Sequence, residues 1–144
     1  CWDRLESYSG VKIPHVHFKP FSSDPPTGSE VSGLIPGRRL RPDGYIAPNQ
    51  PIHIKGEDSG PKGAVFLYHG EQWHGGWPKD HPNAAPGAVN CQGTSFSKLY
   101  ELTLESHKLY AAYGYRVFVV WGEEFKRVRL RRFAVSIRDV VHEV

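Results

Sequence analysis

The stretch Ala64-Val-Phe-Leu-Tyr-His69-Gly-Glu-Gln-Trp73-His74-Gly-Gly-Trp77 constrains this chain more than any other. It begins as an apolar run of strand length without polar alternation, the pattern of a strand buried on both faces. The run then breaks into histidines, tryptophans and glycines, so the strand delivers polar groups to a cleft. A second apolar run, Tyr115-Arg-Val-Phe-Val-Val-Trp121, follows a segment in which Phe96, Leu99, Tyr100, Thr103, Leu104, His107, Leu109 and Tyr110 recur mostly at three- and four-residue steps. That spacing predicts a helix from about Ser95 to Tyr113, closed by Gly114. A strand, a helix and a strand with short junctions predict neighbouring parallel strands joined by a right-handed crossover, hence an α/β sheet covered by helices.

At 144 residues the chain is long enough for one domain with a sizeable core. Residues 1–36 carry Pro14, Pro20, Pro25, Pro26 and Pro36 and are expected to form an irregular arm, with an edge strand over Val11–Phe18 and a turn or two of helix after Glu30. Residues 37–144 are expected to hold the folded domain. Short strands are predicted near 44–46 and 51–55, then a turn through Glu57 and Asp58. Residues 78–87 have no apolar period, and a loop of that length is functional or disordered. After Gly122 the basic tail fits a strand through Phe133, Val135 and Ile137 or a helix through Val128, Arg131, Arg132 and Val135; the helix is the expectation adopted.

The chain lacks methionine, so Cys1 is expected to be a processed end or the cut edge of a longer protein. Its longest apolar run is too short to cross a bilayer and nothing resembles a signal peptide, so a soluble intracellular domain, nuclear or cytoplasmic, is expected. Cys1 and Cys91 lack the paired spacing of a zinc site. The net charge of +3 is gathered in Arg38-Arg39-Leu-Arg41 and in Lys126-Arg127-Val-Arg129-Leu-Arg131-Arg132. Such runs suit a polyphosphate partner, and equally a solvated face.

Taken singly, the chemistry-bearing residues have two readings. His69 and His74 are as suited to structural roles at a strand end as to catalysis. Asp43 before Gly44 is a turn residue as readily as a metal ligand. Trp73 and Trp77 could be core aromatics, although a glycine-rich turn is a poor place to bury two indoles. His53, His81 and His107 read as strand face, loop surface and helix face. A zinc hydrolase using His69, His74 and His81 is a further alternative, without the helical spacing zinc enzymes often use.

In order, Arg41-Pro-Asp43, then Val65-Phe-Leu-Tyr-His69-Gly-Glu-Gln-Trp73-His74, then Tyr113-Gly-Tyr-Arg-Val-Phe-Val-Val-Trp121-Gly-Glu resemble the very-short-patch-repair (Vsr) endonucleases and the Vsr-like homing endonucleases of the EDxHD group. The resemblance spans roughly Arg38 to Phe125. It implies a restriction-endonuclease-like α/β core, a central mixed sheet flanked by helices, and a metal-dependent DNA endonuclease. The chain is expected to be the catalytic module of a larger protein, since an excised module of this kind normally depends on an additional DNA-recognition domain. It implies that Asp43 binds Mg2+ or Mn2+ at the scissile phosphate and that His69 holds the metal or its water shell beside the Tyr68 carbonyl. His74 then prepares the attacking water, and Trp73 enters the base stack. Glu71 and Glu30 are further carboxylates from matching regions. The segment between Asp43 and the His69 strand is long, so Asp43 reaches the site only if residues 47–63 loop out. Glu57 and Asp58 are rival metal ligands. Leu67 stands where some relatives carry glutamate, which leaves a degenerate fold that binds nucleic acid or protein without cutting as the alternative. Arg38, Arg39, Arg41, Lys126, Arg127 and Arg129 are the expected phosphate contacts, flanking the cleft.

Overall fold

The computed structural model describes residues 31–52, 57–131 and 140–144. Glu30, His53, the expected edge strand at Val11–Phe18 and the Phe133–Ile137 alternation lie outside them. Among the described residues, six strands and three α-helices follow in order: β1 (Gly44–Ile46), β2 (Pro51–Ile52), β3 (Glu57–Asp58), β4 (Ala64–His69), α1 (Glu71–His74), α2 (Phe96–Ala112), β5 (Arg116–Trp121), α3 (Gly122–Arg131) and β6 (Val141–Glu143). The main sheet has the order β1-β4-β5-β6, with β4 and β5 parallel and both outer strands antiparallel to their neighbours. This is a mixed four-stranded sheet flanked by helices, and its neighbouring β4 and β5, joined through α2, are the strand pair that the apolar runs and helical period implied.

β4 and β5 lie at the centre, and their unbroken apolar sequences follow from cover on both faces. Alternation along β4 sends Ala64 and Phe66 to one core, with Phe118, Val120 and the α3 residues Phe125 and Val128. Val65 and Leu67 enter the other core, with Val117, Val119 and the α2 residue Tyr110. His69 shares the parity of Val65 and Leu67, so its ring faces α2.

β1 pairs with β4 so that Gly44 lies opposite Phe66 and Ile46 opposite Ala64. Residues 47–52 and 57–63 leave this ladder, and β2 pairs with β3 in a separate two-stranded sheet. The loop-out required for Asp43 to reach β4 is therefore present. Ahead of β1, the Tyr115 hydroxyl donates to the Leu34 carbonyl at 2.9 Å and Ile35 is buried. These contacts pin the segment that carries Arg38–Arg41 against the α2 side of the sheet.

The long helix spans Phe96–Ala112, within a residue of the expectation at each end. The helix expected in the tail exists as Gly122–Arg131, but the chain returns as β6 against β5, a strand the tail's ambiguous period did not reveal. The loop after α1 is ordered by Asn90, whose carboxamide oxygen accepts the N–H groups of Gln92 and Thr94, each at 2.9 Å, and whose amide donates to the Gln72 carbonyl. No helix among the described residues is long and apolar enough to cross a membrane.

Candidate active site

The carboxyl end of β4 opens into a pocket of about 350 Å3 lined by Arg41, Asp43, Tyr68, His69, Trp73 and His74, with Thr103, Ser106 and Tyr110 of α2 behind them. Asp43 arrives from the start of β1. Because β1 begins only at Gly44, opposite Phe66, the Tyr68 amide further along β4 lies beyond the ladder and donates instead to Asp43 Oδ2 at 2.8 Å. The carboxylate thus sits one residue from His69.

His69 is 6% exposed. Its Nε2 lies 2.7 Å from Nε2 of His107, with the two ring planes only 14° apart. The ring of His74 is 4.3 Å away between centroids, and Trp121 lies 5.0 Å from His69 on the β5 side. Burial lowers the pKa of His69 to about 3, with the neighbouring His74 and His107 adding to the effect. Burial also lowers His74, and lowers His107 together with the proximity of His74. All three imidazoles are neutral at neutral pH. A neutral histidine keeps one lone pair and can accept a proton.

His74 returns to the pocket because the four-residue helix α1 begins directly after Gly70 and carries Trp73 and His74 through one turn. Gly75 and Gly76, with φ of 67° and 71°, then reverse the chain. A Cβ on Gly76 would lie 2.6 Å from the Trp121 ring, so only glycine allows the close approach. Trp73 is 55% exposed on the pocket rim. Trp77 instead stacks on His81 at 4.0 Å and meets Phe96 edge-on.

Two buried polar atoms among the residues lining the pocket, His69 Nδ1 and the Tyr110 hydroxyl, have no hydrogen-bond partner. Burial first, then the charge of Asp43, raises the Tyr110 pKa to about 12, so the phenol stays protonated. Buried polar groups normally find partners, and these two are unused hydrogen-bonding capacity among the residues that line the pocket.

Several expected site residues lie elsewhere. Glu71 does not line the pocket: its Oε1 accepts the Glu123 N–H at 2.7 Å, capping the start of α3. Burial outweighs that bond and raises the Glu71 pKa. Asp58 accepts the Gly60 N–H at 2.8 Å, and its carbonyl accepts from Arg116 at the first residue of β5. Asp58 and the adjacent Glu57 therefore stand by the first residue of β5, at the opposite end from His69 of central strands that run roughly 16 Å at strand rise. His81, the third imidazole of the zinc alternative, accepts the Asn83 N–H at 3.1 Å and packs on Trp77.

The two basic segments also part company. Arg41 borders the pocket, and Arg38 and Arg39 line an adjoining groove with Leu40, Leu102 and Ser106, residues shared with the pocket. Lys126, Arg127 and Arg129 belong to α3, which covers the other face of the sheet, and Arg127 is engaged by Asp80 at 3.0 Å and Glu123 at 3.5 Å. Helix α3 does not flank the cleft with the Arg38–Arg41 segment.

His107 and Thr103 are the site residues that reading the sequence missed. Both belonged to the inward helical stripe with Phe96 and Tyr110, and both are buried. Polar side chains within an apolar stripe were the available signal. Comparison with known proteins finds no matching family model, no similar curated protein and no similar solved structure.

Proposed function

We propose that this chain is a metal-dependent DNA endonuclease domain of restriction-endonuclease-like, Vsr-like organisation, acting as the catalytic module of a larger protein. The meeting of Asp43, the Tyr68 peptide, His69 and His74 in one open pocket carries this reading. The sequence order that suggested those residues did not require them to converge across a long insertion.

The donor set suits a hard cation more than zinc. Magnesium keeps several waters and binds through one or two carboxylates plus substrate phosphate, without an all-protein cage. One carboxylate, that of Asp43, borders the pocket, and no group of three or more potential metal ligands occurs among the described residues. Nor can His69 and His107 share a metal through nitrogens already in hydrogen-bond contact. Asp43 and the Tyr68 carbonyl would hold Mg2+ or Mn2+, with His69 beside its water shell. The bound cation would relieve charge on the phosphoryl group and leaving oxygen.

The chain's own residues do the rest. Neutral His74 takes the proton of the attacking water, a role typically worth 10²–10⁴ in rate. Arg38, Arg39 and Arg41 hold phosphates without reading sequence. Trp73, exposed on the rim, stacks against a base. A second reading, nucleic-acid binding without cleavage, is favoured by Asp43 being the one carboxylate that borders the pocket among the described residues, with Leu67 buried in the core.

Incubating supercoiled plasmid with Mg2+, Mn2+ or chelator separates the two. Metal-dependent nicking by the wild type, lost in folded His69→Ala and His74→Ala variants, supports the endonuclease. Salt-sensitive binding without cleavage supports the second reading.

A further inference from the structure

We infer that Thr103 is a positioning residue that fixes the tautomer of His74, holding its proton on Nδ1 and leaving the lone pair on Nε2. The Thr103 hydroxyl oxygen lies 3.2 Å from His74 Nδ1 and 3.3 Å from the His74 carbonyl oxygen. A hydroxyl has one proton to give. The carbonyl can only accept, so that proton goes to the carbonyl. The hydroxyl oxygen then faces Nδ1 with a lone pair, and both contacts are hydrogen bonds only if Nδ1 carries hydrogen.

Which imidazole nitrogen is protonated is set by the bond the other nitrogen makes. Thr103 is 5% exposed, so water does not compete for its hydroxyl. It lies on α2, which packs on the sheet through Tyr110, and α1 rests against the same helix through Gly75 and Phe96. One side chain therefore fixes both the backbone and the ring of His74. A similar constraint operates on His69, where a single proton lies between its Nε2 and that of His107.

The tautomer is a property of the folded protein. Its consequence for rate rests on the proposed role of His74 as base. An imidazole with hydrogen on Nε2 would present a donor where the reaction needs an acceptor, so losing Thr103 should slow proton removal without weakening substrate binding.

The test is two-bond 1H–15N correlation NMR of the full chain at alkaline pH, where every imidazole is neutral, with the His74 signal assigned by its loss in His74→Gln. The expected wild-type pattern is protonated Nδ1 and unprotonated Nε2. Thr103→Val keeps shape and removes the hydroxyl; it should give a mixture of tautomers and reduce kcat for plasmid nicking about tenfold or more, a fraction of what general-base catalysis supplies, with KM unchanged. Thr103→Ser should restore both. Protonated Nε2 in the wild type, or an unchanged tautomer in folded Thr103→Val, overturns the inference whatever the cleavage result. The expected tautomer pattern in a wild type that does not cut supports the inference while removing the endonuclease reading.

Discussion

His69 Nε2 and His107 Nε2 face each other at 2.7 Å across the interface between β4 and α2. Two neutral imidazoles in that arrangement share one proton, so neither ring can be removed without leaving the other's nitrogen buried and unpaired. His107→Phe should destabilise the fold by about 1–3 kcal/mol, the cost of an unsatisfied buried polar group. His107→Gln, whose amide can offer a donor or acceptor, should recover part of the loss. Urea unfolding of the three proteins measures the difference.

Acid should weaken the protein through the same cluster. The folded-state pKa of His69 is lowered to about 3 by burial, and those of His74 and His107 are lowered too. Between the unfolded value near 6.5 and the folded one, the unfolded chain binds more protons, so stability rises with pH. The contribution is complete above about 6.5 and is lost as pH falls toward about 3. Urea midpoints for the wild type should fall across this window, and His69→Asn should flatten the profile; equal slopes would contradict the assignment.

Glu71 should matter for stability more than for chemistry. Its carboxylate accepts the Glu123 N–H at the start of α3 while buried at 6% exposure. Glu71→Ala should cost about 1–3 kcal/mol by leaving that donor unpaired, measured by thermal or urea unfolding. Metal-dependent nicking should survive at temperatures where the variant stays folded.

Gly76→Ala should destabilise by about 1–2 kcal/mol from left-handed backbone alone. The clash of the new Cβ with Trp121, 2.6 Å away, adds to this. Trp121 also contacts His69, so the variant should perturb the His69 ring signals by NMR.

The central architecture was legible because its signals are physical necessities. β4 and β5 are apolar over Ala64–Leu67 and Val117–Val120 since both faces are covered there, and α2 shows its period since one stripe is buried. Asp43 was legible only through the Arg41-Pro-Asp43 fragment of the family resemblance; taken singly it was a turn residue before Gly44 as readily as a ligand. α1 was not, being four residues of mixed polarity between glycines. β6 has three residues and follows a tail compatible with two periods. The role of Glu71 was hidden because the demand for it arises from Glu123, far along the chain, whose N–H needs an acceptor only once α3 starts there. His107 was counted in the helical stripe, but that it faces His69 depends on how α2 lies across the sheet, which spacing along one helix does not specify.

The most direct test of the central claim compares Asp43→Asn with Asp58→Asn in Mg2+-dependent nicking of supercoiled plasmid, with folding of each verified by circular dichroism. Asp43 borders the histidine pocket, and Asp58 lies by the first residue of β5. The account predicts that Asp43→Asn abolishes nicking while Asp58→Asn retains it. Nicking that survives Asp43→Asn and disappears with Asp58→Asn would contradict it.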